Sequence, residues 1–449
     1  MKGKYLSFHH RFLAWVGRLT NTIILSPHPV AIGNAAEDYY CGLIKARREH
    51  KKLVVLFPFP MPEPFRIQML DPAILFLESD LLAMKFRSPI SSVLSGMFTL
   101  YFIAVRVLII LRYKIRPFQA PGYYYRPLAG QDLLWRPDPS VIKFDWDVAC
   151  KQDWETQFSQ PLELSLPGKL VAECETEREK IGLPRDAWFV CLHVREGGYK
   201  KDWDNLRNAD IANYIGAIKE ITRRGGWVVR MGDASMARLP ALERAIDYAH
   251  SPNRSAIMDV YLLKECAFCV GTSSGVMEMA FALGRPIVKT NLTQWINEMP
   301  MRKGDLAIFK HVYSDTEARF ISLRDWLNRA SLITGEHWSS PAWRLFENSE
   351  EEITGVVREK LDLPDNYSPN DLQQEFRQAH LRAAHELSKT LHFDSGELEN
   401  CNDWFHMASH AELAGRSFGR ISGEKLAQEF KNSQLRIHLN TKTDARHKI

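Results

Sequence analysis

Between residues 167 and 291 the chain alternates short apolar runs with stretches of helical spacing, and this pattern constrains the fold most. The apolar runs cover residues 188–195, 227–231, 267–270 and 286–290, and the helical stretches cover 169–181, 209–224, 239–249 and 274–283. Continuous apolar runs are typical of strands buried on both faces, and strands that alternate with helices form parallel sheets. The sequence therefore predicts an α/β fold with a parallel sheet.

A second, shorter alternation lies near the N-terminus. Residues 22–26 are a predicted strand, residues 32–48 a helix and residues 52–57 another strand. A chain of 449 residues exceeds what one hydrophobic core usually serves. We therefore predict two Rossmann-like domains that face a cleft, with a polar, helical C-terminal extension. The predicted boundaries are 1–165, 166–364 and 365–449.

The composition excludes some classes of protein. Hydrophobic residues make up 45% of the chain and charged residues 25%, as in ordinary globular proteins. The formal net charge of +4 is small for this length, and no dense block of lysine and arginine occurs. We therefore predict no nucleic-acid partner, and we expect any anionic ligand to be small.

The cysteines and the N-terminus both indicate the cytoplasm. The seven cysteines show no framework spacing, which favours a reducing compartment over a secreted, disulfide-linked domain. Cys266 and Cys269 have CxxC spacing, but they lie in an apolar run without a second pair, so we expect buried thiols and not zinc ligands. The first residues lack the apolar core and cleavage site of a signal peptide.

Residues 93–111 form a long apolar stretch interrupted by Arg106. A central arginine is costly in lipid, so three interpretations stay open: a buried or interdomain helix, a helix in the membrane interface, and a membrane span. The stretch is flanked by Lys85, Arg87, Arg112, Lys114 and Arg116. These basic flanks suit an anionic bilayer, so a membrane surface at the inner face is a second candidate partner.

Polar side chains follow the first strand of the second domain. His193-Val-Arg195 ends this strand, and Glu196-Gly-Gly follows. Ligands of open α/β sheets lie beyond the carboxyl ends of the strands, and the planar guanidinium of an arginine matches the oxygens of a diphosphate. The alternative for Arg195 is a salt bridge at the strand end.

Two more strand ends carry similar signals. Gly232-Asp233 follows the second strand, where Asp233 could accept hydrogen bonds from a base or ribose. The third strand runs into Gly271-Thr272-Ser273-Ser274-Gly275, where glycines bracket three hydroxyls before a helix. Backbone N–H groups at such a helix start bind anionic oxygens without a metal. The alternative is that Ser273 or Ser274 only caps the helix.

These three motifs together resemble the donor half of GT-B glycosyltransferases, in particular the fucosyltransferase-like group that carries an HxR element. The resemblance implies that Arg195 contacts the β-phosphate of the donor and that Asp259 and the loop 272–274 belong to the same site. Glu196-Gly-Gly departs from that group, which has a second arginine or an aspartate soon after HxR. The donor therefore stays open, and GDP-fucose is implied by analogy only.

The chain also resembles a bacterial family of glycosyltransferases that is recognised mainly from sequence. The matching strings are 193–199, 207–211, 31–34, 304–310 and 419–422. The resemblance implies an inverting GT-B enzyme that moves a sugar from a nucleotide-sugar to a glycan or lipid-linked acceptor, in the synthesis of surface polysaccharides or glycoconjugates. Gly33, Asn34 and Glu37 would line the cleft from the first domain.

Sequence reasoning leaves the general base and two rival functions open. Arg195 and the loop 272–274 would stabilise the departing diphosphate, so we predict no metal and no other cofactor. The triplets at 145–147 and 202–204 have DxD spacing but follow no predicted strand. The base could be Glu196, Asp202, Asp204 or Glu37. The rivals are a GT-B-like nucleotide-sugar epimerase and a non-catalytic scaffold subunit of a polysaccharide assembly complex.

Overall fold

The computed structural model describes more than half of the chain. The described residues are 15–25, 32–56, 59, 74–84, 88–113, 162, 164–200, 206–293, 304–322, 325, 342–364, 366–375 and 420–421. Asp202, Asp204 and the triplet 145–147 lie outside these residues, so their predicted roles stay predictions.

The secondary structure of this part alternates strands and helices. The helices are α1 (Ile32–Arg48), α2 (Pro89–Tyr113), α3 (Gly168–Lys180), α4 (Ile215–Arg223), α5 (Ala256–Glu265), α6 (Gly275–Ala282) and α7 (Glu350–Leu361). The strands are β1 (Thr22–Leu25), β2 (Lys52–Val55), β3 (Phe189–His193), β4 (Trp227–Arg230), β5 (Ala245–Ile246), β6 (Cys269–Thr272), β7 (Ile287–Leu292), β8 (Leu306–Phe309), β9 (His311–Ser314), β10 (Arg319–Ile321), β11 (Trp343–Phe346) and β12 (Arg420–Ile421).

The main sheet has seven strands in the order β5-β4-β3-β6-β7-β8-β12. All of its pairs are parallel. From β3 the chain steps outward through β4 to β5, then returns to the other side of β3 as β6 and continues to β8. This is the strand order of a Rossmann fold, and the order reverses between β3 and β6. The predicted α/β class with a parallel sheet is confirmed.

Strand residues alternate between two apolar layers. Phe189, Cys191 and Cys269 pack with the buried residues of α1, α5 and α6. Val190, Leu192 and Val270 pack on the other face with those of α4 and α7. Because successive side chains of a strand point to opposite faces, a sheet with helices on both sides needs these continuous apolar runs.

The N-terminal unit is a parallel βαβ unit, as predicted. Thr22 of β1 lies opposite Lys52 of β2, and the two strands stay in register to Leu25 and Val55. Helix α1 packs in the same apolar layer as α6 of the main sheet. The two-domain boundary at 165/166 and a complete Rossmann-like sheet in the first domain stay predictions.

Two predicted elements differ from the structure. The helix predicted at 239–249 is wrong: Arg244 adopts a φ of 54°, which ends helical geometry, and β5 pairs with β4 instead. The extension predicted as polar and helical is helical at residues 371–375, but it also contributes a strand, since β12 pairs with β8 at Leu306 and Ala307. The antiparallel sheet β10-β9-β11 has no counterpart among the sequence-based expectations.

The cysteine prediction is confirmed in the part of the chain that the structure describes. Cys191, Cys266 and Cys269 are fully buried. Burial raises the pKa of the Cys191 and Cys269 thiols well above the usual range, so neither forms a reactive thiolate. Among the described residues, no group of three or more His, Cys, Asp or Glu side chains could hold a metal ion.

Candidate functional site at the carboxyl edge of the sheet

The candidate site lies where the strand order of the main sheet reverses. His193 at the end of β3 is the direct register partner of Gly271 in β6. The helices that follow these two strands diverge to opposite faces, so a crevice forms beyond the strand ends. Two of the three predicted motifs therefore lie side by side, although they are 77 residues apart in the pair Arg195 and Thr272.

Gly271 makes this close approach possible. Its φ is +156°, and a Cβ atom there would overlap the carbonyl oxygen of His193. Any other residue would push β6 away from β3 at the site itself. Strand packing therefore requires a glycine at position 271. The loop sequence alone did not distinguish this requirement from one imposed by phosphate binding.

Arg195 is fixed through its backbone. Its N–H donates to Thr272 Oγ1 at 2.7 Å, and its carbonyl oxygen accepts a hydrogen bond from the N–H of Ala209 at 3.0 Å. The side chain is partly buried, and its charge contributes to lowering the pKa of His193. The structure therefore brings the predicted arginine and the predicted hydroxyl loop into one site.

His193 is a buried, neutral histidine. Its Nδ1 lies 3.3 Å from the carbonyl oxygen of Met231. A carbonyl only accepts, so Nδ1 carries the proton and Nε2 is the unprotonated nitrogen. Burial, together with the charges of Arg230 and Arg195, lowers the pKa of His193 to about 4.

This pKa shift predicts a pH dependence of stability. The pKa of His193 is about 4 in the folded state against a model value of 6.5, so the unfolded chain takes up the proton first as the pH falls. Stability is unaffected above pH 6.5 and decreases from there to pH 4, by about 3 kcal/mol from this group. Urea titrations across this range should show a shallower decline for His193→Gln. Identical pH profiles for the two proteins would contradict the assignment.

The hydroxyls of the loop after β6 have different roles. Thr272, Ser273 and Ser274 are all buried. Ser274 caps α6, since its Oγ accepts from the N–H of Met277 at 3.4 Å. Thr272 accepts from Arg195, whereas Ser273 has no hydrogen bond to another residue of the described part. The alternative of simple helix capping therefore fits Ser274, and Ser273 is the hydroxyl left for a ligand.

Substitutions should separate these two serines. We expect Ser274→Ala to lower the free energy of unfolding by about 1 kcal/mol, as the loss of an N-cap does. Ser273→Ala should instead weaken nucleotide binding roughly 10- to 100-fold, the effect of one lost hydrogen bond to a charged phosphate. Denaturant titration and calorimetry measure the two quantities. Ser349→Ala, which removes the cap of a different helix, α7, is the matched control for stability.

A result in which Ser273→Ala binds the nucleotide as tightly as the wild type would remove this hydroxyl from the site. The Ser349→Ala control should lose stability and keep its nucleotide affinity.

Both carboxylate oxygens of Glu196 accept hydrogen bonds from other residues of the protein. Its Oε1 accepts from Arg230 Nη2 at 2.7 Å, and its Oε2 accepts from the N–H of Ala237 at 2.7 Å. Arg230 is completely buried and also pairs with Asp247 at 3.2 Å. With both oxygens engaged, Glu196 is better suited to a structural role than to that of a general base.

Gly198 lies at a close contact between two loops. A Cβ at Gly198 would come within 2.6 Å of the carbonyl oxygen of Ser235. The loop after β3 therefore packs directly on the loop after β4. Glu196 connects them further through its hydrogen bonds with Arg230 and the Ala237 N–H.

Arg254, which sequence reasoning missed, connects the second predicted strand end to Asp259. Arg254 Nη1 donates to the carbonyl oxygen of Gly232 at 3.2 Å and lies 4.0 Å from the Asp259 carboxylate. Asp233 accepts from the N–H of Ser235 at 2.9 Å in a local turn. Gly232, Asp233 and Asp259 thus lie at the same edge of the sheet, and their predicted contacts with the donor stay predictions.

Gly33 of the first domain lies at a helix contact next to the loop. A Cβ on Gly33 would come within 2.8 Å of the Cα of Gly275, so α1 meets the first residue of α6 backbone to backbone. Gly33 is buried in this contact, and its predicted place in the cleft stays a prediction. Asn34 and Glu37 follow it in α1, and their predicted role in the cleft stays a prediction.

Lys310 is a site residue that the motif reasoning missed. Its Nζ donates to the carbonyl oxygen of Asn208 at 2.8 Å, and burial lowers its pKa. The N–H of Asp210 donates to Glu347 at 2.9 Å. The strings 207–211 and 304–310, both highlighted by the family resemblance, therefore meet beside Arg195. Their joint role follows only from the topology.

Comparisons with known proteins give two distant structural matches. No protein-family model and no curated protein matches the chain. ADP-heptose lps heptosyltransferase II of E. coli is 15% identical, covering 59% of this chain and 83% of its own, with a TM-score of 0.34. A glycosyl transferase family 9 structure from Veillonella parvula is 9% identical, covering 57% and 77%, with a TM-score of 0.30. Similarities this weak carry no argument about function, and neither protein is named as a fucosyltransferase.

Proposed function

We propose that this chain is a glycosyltransferase that holds the diphosphate of a nucleotide-sugar in the crevice between β3 and β6. The observation that carries the proposal is the hydrogen bond of 2.7 Å between the Arg195 N–H and Thr272 Oγ1. It joins the backbone of Arg195 to the buried hydroxyl loop that precedes α6. A helix start and an arginine together form an anion site that needs no metal.

The chemistry follows from the charge that develops in the reaction. The acceptor hydroxyl attacks the anomeric carbon and loses its proton to a base, while the bond from that carbon to the diphosphate oxygen breaks. The interactions of Arg195 and Ser273 with the diphosphate become stronger as negative charge builds on it. These residues would therefore stabilise the transition state more than the ground state. A direct displacement of this kind inverts the configuration of the sugar.

The rest of the proposal concerns the acceptor, the base and the place of action. We propose a glycan or lipid-linked acceptor and a cytoplasmic reaction in the synthesis of surface polysaccharides or glycoconjugates. Asp202, Asp204 and Glu37 remain the proposed bases, since Glu196 is engaged with Arg230 and Ala237. The donor sugar stays open, with a fucose nucleotide as the analogy.

Removal of metal ions should leave transfer unaffected. The proposed site supplies its cation from Arg195 and its dipole from α6, so activity in EDTA should equal that in buffer. Initial rates with and without EDTA measure this directly. A loss of activity that Mg²⁺ or Mn²⁺ restores would assign a metal to one of the Asp-Trp-Asp triplets and contradict the proposal.

A thermal-shift panel tests the proposed function. GDP, UDP, dTDP, ADP and CMP are each added to the full chain, because a ligand that binds only the folded state raises the melting temperature. We expect one nucleoside diphosphate to raise it, and we expect Arg195→Ala to abolish the shift. No shift with any of them would favour the scaffold subunit. Turnover of a nucleotide-sugar without an acceptor would favour the epimerase.

A further inference from the structure

Helix α2 exposes a stripe of apolar side chains and buries three small hydroxyl residues beside Phe98. Ile90, Val93, Met97 and Leu100 point outward and are between 62% and 71% exposed. Ser91, Ser95 and Thr99 point inward and are at most 5% exposed. A helix of a soluble protein normally buries its apolar stripe, so this arrangement needs an explanation.

The outward residues form one continuous stripe. Their spacing of three, four and three residues places them on the same side of the helix, and Ala104 continues it. Phe59 adds an aromatic edge, since its backbone N–H donates to Thr99 Oγ1 at 2.8 Å and its ring lies against Gly96. We call this surface, formed by Phe59, Ile90, Val93, Met97 and Leu100, the α2 surface.

Among the inward hydroxyl side chains, that of Thr99 forms hydrogen bonds, whereas the buried Oγ of Ser95 has no hydrogen-bond partner in the described part. Thr99 Oγ1 donates to the carbonyl oxygen of Ser95 at 2.7 Å and accepts from Phe59. The N–H of Ser91 donates to Ser88 Oγ at 3.1 Å. Small hydroxyl residues on this face let α2 lie close to the rest of the protein, and the orientation of the helix is fixed with its apolar side outward.

The sequence around α2 carries one sign of charge. No aspartate or glutamate occurs from residue 81 to residue 131. The basic residues of this segment are Lys85, Arg87, Arg106, Arg112, Lys114, Arg116 and Arg126. Clustered basic residues beside an apolar stripe are attracted to anionic lipid headgroups, and each contributes near the surface of the bilayer.

We propose that the α2 surface docks on an anionic lipid bilayer, with α2 lying along the interface. A second copy of the chain fits less well, because a symmetric contact would bring the same basic segments together. No helix in the described part is long and apolar enough to cross a membrane. The proposal does not depend on the proposed transfer reaction, since none of its residues belongs to the candidate nucleotide site.

Co-sedimentation with vesicles tests the proposal on the full chain. Vesicles of phosphatidylcholine alone are compared with vesicles that also contain phosphatidylglycerol, at low and high salt. We expect the chain to sediment with the anionic vesicles only, and high salt to release part of it. Met97→Glu, in the middle of the stripe, should lower the bound fraction roughly tenfold, because a charge at this depth is costly.

Ser92→Glu is the matched control. Ser92 is exposed on the same helix but outside the stripe, so the variant adds the same charge and should lower the bound fraction only slightly. Both positions are exposed, so unchanged melting temperatures should show that both variants fold. Equal binding by Met97→Glu and the wild type, or no binding to anionic vesicles, would overturn the proposal. The proposal would also be overturned if the chain did not bind vesicles and formed a dimer in sedimentation velocity that Met97→Glu abolished.

Discussion

Arg195→Ala is expected to lower kcat/KM for sugar transfer by about 100- to 1000-fold, the usual loss when one preorganised donor to a developing oxyanion is removed. The free energy of unfolding should hardly change. Two contacts that hold this residue are made by its backbone, through Thr272 Oγ1 and the Ala209 N–H, and alanine keeps both. Steady-state kinetics and urea titration of the same preparation measure the two effects.

Two further variants sharpen this prediction. Arg195→Lys should not restore activity, because an ammonium cannot reproduce the planar fork of a guanidinium. Arg185→Ala removes an exposed arginine from the opposite edge of the sheet, just before β3, and should behave like the wild type. Near-normal kcat/KM in folded Arg195→Ala protein would rule out the phosphate-clamp role.

Arg230→Met is expected to destabilise the protein by about 3–5 kcal/mol, the usual cost of removing one partner from a buried ion pair. The Arg230 side chain is completely buried and pairs with Glu196 at 2.7 Å and with Asp247 at 3.2 Å. Methionine fills a similar volume, so the cost comes from the two carboxylates that lose their cation. Urea unfolding measures it.

Glu196→Gln and Arg185→Met complete this test. Glutamine keeps an acceptor for Arg230 and the Ala237 N–H, so Glu196→Gln should lose less stability than Arg230→Met and should keep most of the transfer activity. Arg185→Met breaks an exposed pair with Glu179 and should change stability by about 1 kcal/mol or less. If Glu196→Gln abolished transfer in a stable protein, Glu196 would be the general base after all.

Helix α2 shows that composition alone does not determine which face of a helix is exposed. The apolar run at 93–111 predicted a helix, and the structure has one from Pro89 to Tyr113. The direction of its apolar face was not predictable, because residues of both kinds occur at helical spacing on two sides. Only the neighbours of the helix, such as Phe59 against Thr99, determine which side is buried.

The helix predicted at 239–249 failed for a similar reason. Its sequence has helical spacing, but Asp247 accepts from the N–H of Leu239 at 3.0 Å and pairs with Arg230 of the neighbouring strand. The pair with Arg230 comes from another part of the chain, and together the two contacts outweigh a local preference of a few tenths of a kcal/mol per residue. Local spacing therefore predicted the wrong element.

The sequence alone determined the alternation of strands and helices from β3 to β7, because burial on both faces of a parallel sheet requires continuous apolar runs. It also determined that His193, Arg195 and the loop 272–274 follow strands. Tertiary structure decided that β3 and β6 are neighbours and that Arg230 pairs with one oxygen of Glu196 and one oxygen of Asp247. It also placed Gly33 against Gly275. Strand order and helix contacts join residues far apart in the chain, and no local pattern encodes which of them will meet.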